Sequence, residues 1–322
     1  MQIRKKDIIL RCSQIHHYIA TLPVMIELKN LSYYYGKSTV AALDNVSARI
    51  GSGVHLMLGE NGAGKTTMLK CVAGLLLPTG GECLVDGVSV TKRLPSELAR
   101  VFYLGVDDGA FMRDIDTMAK RHAPFYPRFD AKELKRNLDA FGLSSSQKLS
   151  SMSLGMRHKA MLAYALSLNT EVLLLDEPAN GLDIESKMAL LRMIAGKCDD
   201  EHTVLVATHT ISDMETLYDG LIVMQANHIR LSAMTEEIAE RFAFVRTLSK
   251  VDDSLYSEWR GGKMCSILPV DMADELGLES GPVDFAVLYG ALHSPAAPEV
   301  IKYMTAPCRS DYKPFSNGVD YE

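Results

Sequence analysis

Apolar and polar residues alternate in two short segments near the start of the chain, at 26–31 and 46–50. Alternation of this kind is typical of strands with one buried face, and the turn segment 36–38 lies between the two. The pattern therefore predicts an antiparallel start. The segment 54–58, apolar except for His55, follows, then a glycine-rich segment, then helix formers at 66–76 with apolar residues three and four positions apart. The sequence thus predicts a buried strand, a loop and a helix in succession.

Helical and strand patterns alternate through the middle of the chain. A strand is predicted at 101–104, and the segment 112–141 is helical in character but is broken around Pro124 and Pro127, which predicts a helical subdomain. The elements after it alternate between helices and apolar strands, at 155–168, 172–175, 185–197, 203–207 and 221–224. This order is typical of a parallel sheet flanked by helices, and we expect the core to end near residue 231.

The two ends of the chain differ from this core. Residues 1–24 have no place in the predicted sheet, so we expect a mobile N-terminal extension, a core domain at 25–232 and an accessory segment at 233–322. The accessory segment is predicted to hold a short helix at 236–242, a hairpin at 256–268 and a helix at 283–292. Its apolar side chains predict a small appended α+β domain: Phe242, Phe244, Val245, Tyr256, Trp259, Ile267, Leu268 and Phe285. Residues from 294 onward hold several prolines and little periodicity, and they carry no prediction.

Composition narrows the class of protein. The chain has 322 residues, 47% of them apolar, and a net charge of −6, so a large core is expected and no overall positive field favours nucleic acid. The six cysteines are scattered without a metal-binding spacing, which is typical of reduced, cytosolic thiols. No apolar run approaches the roughly 18 to 20 residues of a membrane-spanning helix. Asp7 and Arg11 interrupt the apolar stretch that a signal peptide would need.

The segment 59–66 reads GENGAGKT and fits the phosphate-binding pattern G-x-x-x-x-G-K-[ST]. It lies between the predicted buried strand and helix, where backbone N–H groups and the helix N-terminus can face a phosphate. Lys65 is expected to reach the β- and γ-phosphates of a nucleotide, and the Thr66 hydroxyl to ligate Mg²⁺. The expected nucleotide-binding residues are Gly59, Glu60, Asn61, Gly62, Ala63, Gly64, Lys65, Thr66 and Thr67.

Two carboxylates, Asp176 and Glu177, end the apolar run at 172–175. A parallel strand at this place puts both at the carboxyl edge of the sheet, beside the phosphate-binding loop. Asp176 is expected to hold the Mg²⁺ shell, and Glu177 to accept a proton from the attacking water or to orient it. The predicted chemistry is hydrolysis of a nucleoside triphosphate.

The motifs that follow resemble those of the ATP-binding cassette family, over residues 25 to 232. The segment 152–156 reads MSLGM and stands where that family has its L-S-G-G-Q signature. The segment 177–183 reads EPANGLD and is similar to the family's E-P-x-x-G-L-D, which adds Asp183 to the expected nucleotide-binding residues. Thr208 and His209 resemble the family's switch histidine and the residue before it.

This resemblance implies a fold and further site residues. The fold is α/β, a P-loop NTPase of the cassette type with a mixed sheet core, an antiparallel β subdomain and a helical subdomain. Tyr35 matches the aromatic residue that stacks on adenine, with Tyr33 and Tyr34 as alternatives, and His209 would reach the γ-phosphate. Ser153 and the Gly155 amide of one subunit would cover the ATP on the other, so a two-fold dimer with a like ATPase subunit, identical or not, is expected.

Two departures from the family pattern concern the signature and the metal. Leu154 and Met156 replace usual signature residues, and the segment 153–157 resembles an efflux-type branch paired with separate permease chains. The glutamine that the family places after the strand at 101–104 is missing, with Val106 or Asp107 in its place. Asp107 is therefore a candidate substitute metal ligand.

Three classes of function were compared with the sequence. The first is the Mg-ATP-binding subunit of an exporter, peripheral on the cytoplasmic face of the cell membrane and docked on a separate permease. The second is a soluble family member acting on nucleic acid or ribosomes; we expect no nucleic-acid partner because the chain has a single cassette and no long insertion before the signature. A GTPase or kinase is disfavoured because no guanine-reading N-K-x-D is present.

Overall fold

Four stretches of the chain are described by the structure, a computed structural model: 26–105, 113–197, 201–210 and 217–306. They fall into two units, of which the first ends at Glu237 and the second begins at Ile238. The sequence-based boundary between residues 232 and 233 falls inside the last strand of the first unit. The predicted extension 1–24 lies outside the described residues.

The strands of the first unit are, in chain order, β1 (Ile26–Tyr33), β2 (Leu43–Ile50), β3 (Gly53–Leu58), β4 (Gly80–Val85), β5 (Val88–Ser89), β6 (Val101–Leu104), β7 (Val172–Asp176), β8 (Thr203–Thr208), β9 (Gly220–Gln225) and β10 (His228–Met234). Its described helices are α1 (Lys65–Val72), α2 (Pro95–Leu98), α3 (Ile115–His122), α4 (Ala131–Ala140), α5 (Leu154–Ser167) and α6 (Ile184–Ala195). Helix α7 (Thr235–Arg241) contains the division between the units.

The central sheet has the order β10-β9-β3-β8-β7-β6, and every neighbouring pair is parallel except β10 with β9. All residues of β3 and β7 are buried, which is why both strands are mostly apolar and do not alternate, apart from His55 in β3 and Asp176 at the end of β7. Because the parallel strands end at the same edge, the loop after β3 and the last residues of β7 and β8 lie together there. The predicted parallel sheet is confirmed, with β10 as an antiparallel edge.

The second sheet of this unit is antiparallel, in the order β2-β1-β4-β5. The predicted antiparallel start is thus confirmed, and β4, β5 and β10 are strands that the sequence patterns missed. Buried residues of β1 and β2 share one core with α1 and the central sheet. Cys71 on α1 and Cys83 on β4 lie in that core, where burial raises the pKa of each thiol to about 12.

Helices α3 and α4 lie within the helical segment predicted at 112–141, and α5 is the helix predicted at 155–168. A short 3₁₀ turn at Ala123–Phe125 separates α3 from α4, at the predicted proline break. Each of the three helices starts at a polar side chain that accepts a backbone N–H: Asp114 for α3, Asp130 for α4 and Ser153 for α5. Local capping therefore sets the start of each helix.

The second unit contains a three-stranded antiparallel sheet in the order β11-β13-β12, formed by β11 (Phe242–Thr247), β12 (Tyr256–Arg260) and β13 (Lys263–Pro269). Its helices are α8 (Val270–Glu275), α9 (Phe285–Leu292) and α10 (Ala297–Thr305). The predicted hairpin is confirmed as β12 and β13, joined by two glycines with positive φ, Gly261 and Gly262. The predicted helix at 283–292 is α9, whereas β11 and α10 were not predicted.

The α/β class and the mixed sheet are confirmed by this topology. Among the described residues, no helix is long and apolar enough to cross a membrane.

Candidate active site

The phosphate-binding loop curls back between β3 and α1, and its glycines are required by close contacts. Gly64 has a φ of 101°, and a Cβ there would lie 2.6 Å from the carbonyl oxygen of Ala42. A Cβ at Gly59 would lie 2.6 Å from the carbonyl oxygen of Met224. Any side chain at either position would push the loop away from its neighbours, so the curled backbone depends on glycine.

Lys65 is the first residue of α1, and its side chain folds over the loop that precedes it. The Nζ atom donates to the carbonyl oxygens of Gly59 (2.5 Å) and Glu60 (3.1 Å). Burial lowers the pKa of Lys65, while the nearby carboxylates of Glu177 and Asp176 act in the opposite direction. The ammonium is therefore held at the loop by neutral carbonyl oxygens, which a negatively charged phosphate oxygen can replace as a stronger acceptor.

Asp176, the last residue of β7, receives two hydroxyl hydrogen bonds on the same oxygen. Thr66 Oγ1 donates to Asp176 Oδ2 at 2.6 Å, and Tyr103 Oη donates to it at 3.1 Å. A hydroxyl that donates its proton keeps its oxygen lone pairs for a metal ion. Mg²⁺ prefers oxygen ligands and is commonly held by one or two carboxylates together with the phosphates of the substrate. Thr66 and Asp176 thus fit a magnesium site.

Glu177 follows directly and has a left-handed backbone, with a φ of 51°. The end of β8 holds it: its amide donates to the carbonyl oxygen of Ala207 at 2.8 Å. Its Oε2 accepts from Thr208 Oγ1 at 3.0 Å, and its Oε1 accepts from the amide of His209 at 3.0 Å and lies 2.7 Å from His209 Nδ1. Two neighbouring strand ends thus fix one carboxylate, a polar arrangement that can bind and orient a water molecule.

A cavity of about 310 Å³ borders the phosphate-binding loop and the two carboxylates, whereas Thr208 and His209 are not among its lining residues. Its lining includes the predicted residues Tyr35, Glu60, Asn61, Gly62, Gly64, Lys65, Thr66, Thr67, Asp176 and Glu177. Tyr35 is 47% exposed, and its hydroxyl lies 3.1 Å from Thr67 Oγ1. One tyrosine of the three candidates, Tyr35, therefore borders the cavity, while Tyr33 packs edge-on against its ring.

The signature residues do not line this cavity in a single chain. Ser153 caps α5 by accepting the Met156 amide at 3.2 Å, and a Cβ at Gly155 would meet no described atom closer than the Gly181 carbonyl oxygen at 3.6 Å. Asp183 caps α6 and accepts a hydrogen bond from Lys159 Nζ at 2.7 Å, which holds the pKa of Asp183 well below its usual range. In a single chain, Ser153 and Asp183 thus act as helix caps, and both are exposed to solvent.

Three further contacts were not found by sequence reasoning. Tyr103 and Thr208 reach the two carboxylates as described, and His158 Nε2 lies 2.9 Å from the carbonyl oxygen of Pro178, just after Glu177. The register of β6 beside β7 is the signal that would have placed Tyr103 at the site. Asp107, the candidate metal ligand, lies outside the described residues, as does Val106. Among the described residues, no group of three or more His, Cys, Asp or Glu side chains forms a metal cluster.

Comparison with known proteins agrees with this geometry. The family model described as ABC transporter matches residues 43–180. The ABC transporter ATP-binding protein NatA of Bacillus subtilis is 32% identical over 215 residues, which cover 63% of this chain and 86% of NatA. The energy-coupling factor transporter ATP-binding protein EcfA2 of Clostridium perfringens is 27% identical over 245 residues, which cover 70% of this chain and 84% of EcfA2.

A solved structure shows the same fold. It is described as the dimeric structure of an ATP-binding cassette in a post-hydrolysis state, bound to ADP and Pi. Its TM-score is 0.55 at 23% sequence identity, and the match covers 65% of this chain and 98% of that one. The expected cassette fold is therefore confirmed. By its matched family model and its likeness to NatA, the chain belongs to the ABC transporter ATP-binding proteins and is an ATPase.

Proposed function

We propose that this chain binds Mg-ATP between two ATPase subunits and uses its hydrolysis to drive export through a separate membrane permease. It would then work on the cytoplasmic face of the cell membrane, bound to that permease. The observation that carries the proposal is the cavity lined together by the phosphate-binding loop, Asp176 and Glu177. Relatives of this chain include EcfA2, named as part of an energy-coupling factor transporter.

The chain's own residues would divide the chemistry as follows. Lys65 would exchange the carbonyls of Gly59 and Glu60 for the β- and γ-phosphates, and Thr66 and Asp176 would hold Mg²⁺. The metal ion would neutralise phosphate charge. Glu177 would orient the attacking water and accept its proton, while His209, at the same strand edge, would bind the γ-phosphate.

Adenine and the second subunit would complete the site. Tyr35 would stack on the adenine ring at the cavity mouth. Ser153, Gly155 and Asp183 would act across a two-fold interface, on the nucleotide held mainly by the partner. The exposed apolar side chains beside these residues support such an interface, since Leu154 is 68% exposed and Ile184 and Met188 are also exposed.

The dimer is tested with Glu177→Gln, which keeps the size of the side chain and removes its negative charge. The variant should bind ATP, fail to hydrolyse it, and accumulate as a dimer with Mg-ATP when followed by light scattering. Glu82→Gln, the same exchange at an exposed glutamate of β4 in the first unit, is the matched control and should keep the wild-type monomer–dimer equilibrium. A Glu177→Gln protein that binds Mg-ATP and remains a monomer would contradict the two-subunit site.

The permease is tested by purification from membranes. The full chain should retain a membrane protein with several spans, identified by mass spectrometry. For an exporter in inverted vesicles, substrate should stimulate ATP hydrolysis from the same side as ATP. Stimulation from the opposite side alone would show import instead.

For the second unit we propose a role in subunit association rather than in chemistry. It has its own sheet and its own buried side chains, including Phe242, Phe285 and Val300. Truncation after Glu237 should leave nucleotide affinity nearly unchanged, because Tyr35, Lys65 and Asp176 remain, and should lower the ATP-dependent dimer fraction. A truncated chain that dimerises like the full chain would remove this role.

A further inference from the structure

Tyr103 lies on β6, the edge strand of the central sheet that neighbours β7. In the parallel register of the two strands it pairs with Leu174. Asp176 is two residues beyond Leu174 and therefore lies on the same face of β7. The tyrosine side chain spans this diagonal, and its hydroxyl donates to Asp176 Oδ2 at 3.1 Å. The contact is thus dictated by strand register.

The position of this hydroxyl is also fixed from other directions. A Cβ at Gly105 would lie 2.7 Å from Tyr103 Oη, so glycine leaves the space in which the hydroxyl sits. Lys70 of α1 places its Nζ 5.8 Å from the centre of the tyrosine ring, on the side of the phosphate-binding helix. The ring is therefore held between α1 and the end of β6.

Asp176 Oδ2 accepts from both Tyr103 and Thr66, and the side chain is nearly buried, at 5% exposure. Two donors on one oxygen fix the plane of the carboxylate, because rotation about its last bond would break both. The second oxygen, Oδ1, accepts no hydrogen bond from the part of the chain that the structure describes. An oriented carboxylate with one oxygen free is suited to a metal-bound water or to the metal itself.

We propose that Tyr103 is a positioning residue for the metal site, and that its hydroxyl keeps Asp176 oriented when Thr66 turns to a magnesium ion. This inference rests on the proposed Mg-ATP site. Thr66 lies in the first turn of α1, directly after the loop that would bind the nucleotide, whereas Tyr103 is anchored on β6 of the central sheet. Asp176 thus receives one hydrogen bond from the nucleotide-binding segment and a second one from the central sheet.

The test uses the full chain with Tyr103→Phe, which removes the hydroxyl and keeps the ring. Affinity for a fluorescent ADP analogue is measured with and without Mg²⁺, and Mn²⁺ binding to the protein–ADP complex is followed by electron paramagnetic resonance. Affinity without metal should stay within about twofold of wild type. The gain in affinity on adding metal should fall by about three- to tenfold, as expected for the loss of one hydrogen bond of ordinary net strength.

Tyr164→Phe is the matched control. The Tyr164 hydroxyl is buried on α5 and has no hydrogen-bond partner among the described residues, so its removal should leave both affinities unchanged. Gly105→Ala is a second variant, which keeps the Tyr103 hydroxyl but crowds it. Gly105→Ala should likewise reduce the gain in nucleotide affinity on adding metal. If Tyr103→Phe fails to fold, this variant tests the positioning role of Tyr103 in its place.

The outcomes separate this inference from the proposed function. If the wild-type protein gains no affinity from metal, the Mg-ATP site is wrong and the positioning role falls with it. If the wild type gains affinity and Tyr103→Phe gains as much, the site stands and the role of Tyr103 is overturned. A loss of equal size with and without metal, or the same loss in Tyr164→Phe, shows a packing role and also overturns it.

Discussion

The two units of this protein each bury an aspartate, and they do so in opposite ways. Asp284, at the start of α9, is 4% exposed and is surrounded by cations: Arg246 and Arg260 bond its two oxygens at 3.0 and 2.8 Å. It also caps α9 by accepting the Val287 amide at 3.0 Å. Asp176 is 5% exposed and lines a cavity, and its described hydrogen bonds come from two neutral hydroxyls.

The difference shows how burial alone misleads as a sign of function. A buried carboxylate whose charge is matched by arginines needs no ligand, and removing its charge would leave the arginines without their partner. A buried carboxylate that faces a cavity and has hydroxyl partners retains its charge for something that enters. The carboxylate of Asp176 in the first unit is therefore available to a ligand at the sheet edge, whereas that of Asp284 in the second unit is occupied by two arginines of the same unit.

The largest expected effect is on turnover. Glu177→Gln should slow ATP hydrolysis by about a hundred- to ten-thousandfold, the usual range for a general base. Glu258→Gln, the same exchange at a partly buried glutamate in β12, should leave turnover unchanged because that carboxylate pairs with Tyr256. Phosphate release measures both. Normal hydrolysis by Glu177→Gln would remove this residue from the chemistry.

The aspartate comparison gives the next effect. Asp284→Asn loses charge-assisted bonds to two arginines and should lower the free energy of unfolding of the second unit by about 1 to 3 kcal/mol. Fluorescence of Trp259, the chain's one tryptophan, on β12 follows that unit in urea. ATP hydrolysis should persist.

Asp176→Asn is the mirror experiment. It should abolish metal-dependent hydrolysis while the Trp259 unfolding curve stays at its wild-type midpoint. If the two variants had the same effects on hydrolysis and on unfolding, the contrast between the two aspartates would be wrong.

Adenine stacking should have a similar or smaller effect. Tyr35→Ala should weaken nucleotide binding by about five- to a hundredfold, since stacking of a base on an aromatic ring contributes about 1 to 3 kcal/mol. Tyr34→Ala is the control, because Tyr34 is also exposed but does not line the cavity. Isothermal titration with ADP compares them, and equal losses would indicate a general effect on the loop.

The smallest effect concerns acid stability of the first unit. Burial lowers the pKa of His55 on β3 from its ordinary 6.5, against hydrogen bonds to the carbonyls of Gly51 and Ser52. Below pH 6.5 the unfolded chain takes up a proton that the folded chain does not, so the stability of this unit should fall as the pH decreases. His55→Gln should flatten that decrease without altering the Trp259 transition. Circular dichroism melts from pH 7 to 5 measure it; identical slopes would exclude His55.

Sequence patterns found the elements that carry chemistry and missed several that do not. The loop before Lys65 and the strand before Asp176 have strong signals because both strands are buried and uninterrupted. Strand β4 begins with two glycines and a glutamate and lacks such a signal, and β11 is buried on both faces at Phe242–Val245, so it shows no alternation. Helix α10 was hidden by the prolines around it.

The residues of the candidate site could be proposed from the sequence, but the contacts between them could not. Glu177 and His209 are far apart in the chain, and their hydrogen bonds follow from the pairing of β7 with β8. The bond from Tyr103 depends in the same way on the register of β6 with β7. Ser153 and Gly155 carry a recognisable motif, yet the nucleotide they are proposed to cover belongs to a second chain.

The two thiols in the core of the first unit have a chemical consequence. With a pKa of about 12, Cys71 and Cys83 are ionised in roughly one molecule in ten thousand at pH 8, and neither is exposed. A thiol reagent can therefore modify them only while the core is open. The rate of that reaction therefore measures how often the core around α1 opens. Because α1 begins at Lys65, nucleotide bound at its first turn should make opening rarer and the reaction slower.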